Sequence, residues 1–75
     1  MRAEDQYHRF VQWSEEDQCY IGYCPDLYFG GVCHADDELV AYRQLREIVQ
    51  DEVAHRLSTG KTLPPARFAA TLAAA

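Results

Sequence analysis

Three things are missing from this chain, and each absence removes a class of protein. No stretch of Lys or Arg forms a basic stripe: seven basic residues stand against twelve acidic ones, for a net charge of −5. A nucleic-acid binder gains affinity by neutralising phosphates, and this surface mostly repels them, so no direct nucleic-acid binding is expected. No apolar segment is long enough to span a bilayer, and no apolar run follows a basic start as in a signal peptide. The expected location is therefore cytoplasmic, away from membranes. The cysteines number three, an odd count that argues against a closed disulfide framework, and in the cytoplasm they are expected as thiols.

What is present is short. Seventy-five residues make one domain, near the lower limit for a self-sufficient core. At this size burial barely exceeds the lost conformational entropy unless a disulfide, a metal or a partner subunit helps. Acids cluster at Glu15–Asp17 and at Asp36–Glu38. An acidic surface of this kind suits a basic protein partner, whose approach it accelerates, although charge carried for solubility explains it equally.

The chain divides around Tyr23–Asp37, where a strand ends at Pro25 and a Gly-Gly pair opens another before three acids start a helix. Met1–Gln6 reads as a frayed start. Tyr7–Trp13 reads as the first strand, with Tyr7, Val11 and Trp13 on one parity and His8 and Phe10 on the other. Ser14–Gln18 is a charged hairpin loop. Cys19–Cys24 is the second strand, in which Gly22 marks a bulge or the close approach of another backbone. A third strand, about Gly30–His34, completes an antiparallel meander. One long helix is expected over Asp37–Leu57, capped by Asp36 or Asp37 and stopped at Gly60. Its core stripe is Ala41, Tyr42, Leu45, Ile48, Val49, Val53 and Leu57. The prolines of Lys61–Pro65 exclude a central strand but leave an edge strand or a short helical turn, and Ala66–Ala75 is a tail.

The predicted fold is thus α+β, a three-stranded antiparallel meander packed on one helix. Both parities of the second strand are apolar: Cys19, Ile21 and Tyr23 on one side, Tyr20 and Cys24 on the other. A single helix covers one face of a sheet, so the other face, or an edge, needs a partner or the C-terminal tail. Self-association is expected for the same reason.

No catalytic chemistry emerges from the residue pattern. Cys19, Cys24, Cys33, His34 and His8 lack the close ligand pairs of a structural zinc site, and core thiols account for the cysteines. A Cys33 nucleophile with His8 or His34 as base lacks a cleft. The paired acids sit where caps and loops place them, and Gly30-Gly31 lacks the spacing of a phosphate loop. No enzyme, metal or cofactor is expected. The aromatics Trp13, Tyr20, Tyr23, Tyr28 and Phe29 lack the flanking cations of a base-stacking surface and fit core packing or a protein interface. They are the candidate contact residues, with Glu15, Glu16, Asp17 and Asp26 as a charged rim.

The strings WSEED (Trp13–Asp17), YIGYCPDL (Tyr20–Leu27) and GGVCHADD (Gly30–Asp37), with GKTLPP (Gly60–Pro65) after the helix, resemble HicB-like antitoxins. The likeness spans about Tyr7–Pro65. It implies a partial RNase H-like β-β-β-α-β fold, with Lys61–Pro65 as the candidate last strand. It also implies a dimer or higher oligomer that covers and neutralises a small basic RNA-cleaving toxin, HicA. Many such antitoxins continue into a DNA-binding domain, for which this chain is expected to have no room. Some stand alone without a toxin, so the alternative expectation is an orphan homo-oligomeric structural or regulatory module.

Overall fold

In the computed structural model, which describes residues 2–67, three strands and one long helix follow a short 3₁₀ turn. The strands are β1 (Phe10–Ser14), β2 (Cys19–Tyr23) and β3 (Gly31–Ala35), and the helix is α1 (Glu38–Ser58). They form one antiparallel sheet in the order β1-β2-β3, against which α1 packs. The expected α+β meander is present.

Alternation assigns the two faces. Opposite residues in antiparallel strands lie on the same face, so Val11 and Trp13 join Gly22 and Tyr20, while Phe10 and Gln12 join Tyr23 and Ile21. Gly22 lies against Leu45, which makes its side the helix side. The β2–β3 register slips by one residue, since Gly22 pairs with Cys33 but Tyr23 with Gly31. Val32 is the extra residue of this bulge, and as a result Val32 and Cys33, though adjacent, both reach the core.

The helix begins because the Asp37 carboxylate accepts a hydrogen bond from the Val40 N–H at 3.1 Å, a cap contributing about 1 kcal/mol. It ends at Gly60, whose φ of +74° suits a residue without a Cβ. The Gly60 N–H donates to Leu57 O and the Lys61 N–H to Arg56 O, so two otherwise unpaired carbonyls are satisfied. Ala41, Leu45, Val49 and Val53, four residues apart, are buried, and each of the larger three contributes roughly 1.5–3 kcal/mol through burial. Cys24 and Tyr7 complete the buried cluster.

Four expectations are corrected. Tyr42 and Leu57, assigned to the core stripe, are 40% and 56% exposed. Tyr42 stands one position off the buried row of Ala41, Leu45, Val49 and Val53 and so turns away from the sheet. Leu57 lies one turn beyond Val53, the last buried residue of that row. The first strand starts at Phe10 rather than Tyr7, because Tyr7 turns into the core and its hydroxyl donates to Pro64 O at 2.6 Å. The residues expected to fray instead form the 3₁₀ turn Ala3–Gln6, where the Asp5 carboxylate accepts from the Arg2 N–H. Finally, residues 61–66 join no ladder: among the described residues the sheet has three strands, and Leu63 and Ala66 serve as packing against the core. The rest of the tail, 68–75, lies outside the described residues.

Candidate interaction surface

The five aromatics singled out from the sequence do not form one patch. Trp13 and Tyr20 pair across β1 and β2 on the helix side, near the hairpin, with ring centroids 5.0 Å apart edge to face. Trp13 remains 43% exposed, and its indole N–H donates to Glu15 Oε2 at 2.8 Å. Tyr23 belongs to the opposite, open face, where it stacks on Phe10 at 5.0 Å, and Phe10 stacks in turn on His8 at 5.1 Å. Tyr28 is half-buried against the core, and burial pushes its phenol up from the usual value. Phe29 projects fully into solvent from the β2–β3 connection. With Tyr23, Pro25, Tyr28 and Gly30 it borders a shallow, mainly apolar hollow of about 370 Å³.

The acidic rim is also partly committed. Asp17 accepts from the Ser14 hydroxyl at 3.2 Å, and the Asp17 N–H donates back to that oxygen at 3.2 Å. Glu15 holds Trp13, while Glu16 is exposed at the loop tip. Asp26 is half-buried in the turn after β2, where the Leu27 and Tyr28 N–H groups both donate to Cys24 O.

Sequence reasoning overlooked the centre of the open face. His8, Phe10, Ile21, Tyr23 and His34 share that side, which α1 does not cover, and a second hollow of about 470 Å³ lies beside Ile21, between Cys19 and His34. The signal was present in the parity of His8 and Phe10. Only the register, which sets Phe10 opposite Tyr23, shows that they extend one aromatic row.

The sheet separates Cys33 from the histidines, whereas Cys19 shares the open side with His34. The Cys33 thiol contacts Ala41 O at 3.4 Å on the helix side, and burial pushes it up from the ordinary value. His8 and His34 lie on the open face, so neither imidazole shares a side with Cys33. Among the described residues, no three His, Cys, Asp or Glu side chains gather closely enough to hold a metal ion. No helix among them is long and apolar enough to cross a membrane. Arg2, Arg9 and Arg46 line a polar hollow with Glu4, Asp5 and Gln50, where Arg9 lies 3.4 Å from Asp5. The Arg2 N–H and then Arg9 hold the Asp5 carboxyl below its ordinary value.

No family model, curated protein or solved structure matches this chain.

Proposed function

We propose that the chain is a HicB-like binding module that neutralises a small basic RNA-cleaving toxin by direct contact. The observation that carries this reading is the open sheet face. Phe10, Ile21 and Tyr23 lie together on it, half-buried and not covered by the helix of their own chain. The protein around that face carries a net charge of −5. An apolar centre with acidic surroundings complements a basic partner, the centre giving affinity and the charge giving rate. The order of three antiparallel strands and then one helix is the order that the resemblance implies. A partial RNase H-like fold belongs to the same proposal, with 61–66 in place of the last strand but outside the ladder. So does a cytoplasmic location, where the three thiols stay reduced.

The test is capture from the native cells with tagged protein at moderate salt. A stoichiometric small basic protein whose RNA cleavage stops when this chain is added would support the reading. Capture of nothing but further copies of the chain would remove the toxin. A second reading is self-association, for which the observation is that, among the described residues, β1 forms one edge of the sheet.

A further inference from the structure

The connection between β2 and β3 carries more aromatic surface than a turn needs. Turns favour glycine, proline and small polar residues, yet here Tyr28 and a fully exposed Phe29 follow Pro25. With Tyr23 and Gly30 these residues border the hollow of about 370 Å³. Two glycines leave it room. Tyr23 has the Phe10 ring on its β1 side, at 5.0 Å, but on β3 it pairs with Gly31, which has no side chain to lay against it. Gly30 turns the chain at φ +83°, with no atom within 4 Å of where a Cβ would stand.

The charges nearby favour a cation. Asp26 belongs to the turn itself. On the helix side, burial first and then the carboxylates of Glu52 and Asp51 hold the Tyr28 proton. Arg56 also faces that phenol, but Glu52 engages it at 2.6 Å and the pair brings no net charge. The exposed Asp51 therefore gives this side of the hollow a negative sign. Aromatic ring faces attract cations, and a guanidinium, planar and weakly hydrated, stacks on them more readily than a compact, strongly hydrated ammonium. An anion would be repelled, and a plain apolar side chain would gain nothing from the carboxylates.

We infer that this hollow receives one arginine side chain of a basic protein partner, its guanidinium lying against the Tyr23, Tyr28 and Phe29 rings. Tyr23 belongs both to the open face and to the hollow, so a partner seated on that face reaches the hollow without a second contact surface. Phe29, which buries nothing in its own chain, then gains a use as a wall of the site. The source of the arginine rests on the toxin reading; the preference of the site for a guanidinium does not.

The probe is the peptide acetyl-Gly-Arg-Gly-amide, titrated into the full chain and followed by NMR of the aromatic side chains. The ring signals of Tyr23, Tyr28 and Phe29 should shift together and saturate. The same peptide with citrulline, which keeps the shape and loses the charge, should bind at least about threefold more weakly. Phe29→Ala spares the fold, since that ring is fully exposed, and circular dichroism verifies this. It should weaken the arginine peptide about threefold, whereas Glu16→Gln, at the hairpin on the opposite end of the sheet, should leave it unchanged. Citrulline binding as well as arginine overturns the inference, as does the absence of a saturating shift or an indifferent Phe29→Ala. A peptide that binds only after Phe68→Ser and Leu72→Ser are introduced into the full chain would give the hollow to the chain's own end, and also overturns it. Each of these results leaves the toxin reading in place, since no toxin enters the experiment, and a failed capture from cells would leave the arginine site in place.

Discussion

Gly22 and Leu45 are in contact at the point where the sheet meets the helix. A Cβ on Gly22 would lie 3.2 Å from Leu45 Cβ and 2.8 Å from the Cys33 sulfur. The sheet and helix approach this closely because one residue of β2 has no side chain. Gly22→Ala is expected to destabilise the protein by about 1–3 kcal/mol, the usual penalty for overpacking a dense core. Adding Cys33→Ala removes the nearest obstacle and should recover part of that loss. Urea unfolding of the three variants measures both effects. An alanine tolerated without loss would mean that α1 can shift outward at no cost.

Tyr7 ties the two ends of the described chain together through its hydroxyl on Pro64 O, at 2.6 Å. The ring is buried, so Tyr7→Phe keeps the packing and deletes only the donor. The loss should be about 1 kcal/mol. Its local sign should be faster tryptic cleavage after Lys61, because 61–66 is held by this bond and by Leu63 and Ala66 rather than by a ladder. Cleavage at the wild-type rate would show that apolar packing alone retains the segment.

The helix was legible in the sequence because its signals are local: an acid at the cap, apolar residues four apart, a glycine after the last turn. The meander was legible for the same reason, from alternation and turn residues. What escaped depends on distance through space. Nothing near Leu57 reveals that burial stops one turn earlier, at Val53, and nothing near Tyr7 reveals Pro64. Trp13, Tyr20, Tyr23, Tyr28 and Phe29 could be singled out as candidates for core packing or contact, and Tyr28 packs against the core. Their division between two faces follows from register, and the Val32 bulge, which lets two adjacent residues reach one core, is invisible without it. Periodicity assigns a side within a strand, but only pairing joins sides into a surface.

Stability should fall at alkaline pH. Burial pushes the Cys24 and Cys33 thiols above 9.0, and the Tyr7 and Tyr28 phenols above 10.0, their ordinary values. These groups hold their protons more tightly folded than unfolded. Their contribution is therefore complete below about pH 9, where the unfolded thiols begin to titrate, and is lost as pH rises through the folded values. Urea midpoints should decline above that point, and Cys24→Ala should flatten the decline, since Cys24 is wholly buried. An unchanged slope would assign the effect to the phenols. The same burial predicts alkylation of Cys24 far slower than that of free cysteine at neutral pH. A fast-reacting thiol would contradict the packing and reopen the question of a nucleophile.

Trp13 is the only tryptophan, which makes it a reporter for one edge of the sheet. In a single chain it is partly exposed, bonded to Glu15 and edge-on to Tyr20. A second copy packed on this edge would exclude water from the indole. Its emission should therefore move to shorter wavelength, and acrylamide quenching should weaken, as concentration rises through the dimer range. A partner on the open face acts differently, because Phe10 and Tyr23 lie on the far side of the sheet from the indole. Such binding should be sensitive to Tyr23→Ser and leave the Trp13 spectrum nearly unchanged. A spectrum independent of concentration in protein already dimeric by mass would move the dimer contact away from β1. A spectrum that shifts on binding of a basic partner would instead place that partner at this edge, in competition with the second copy.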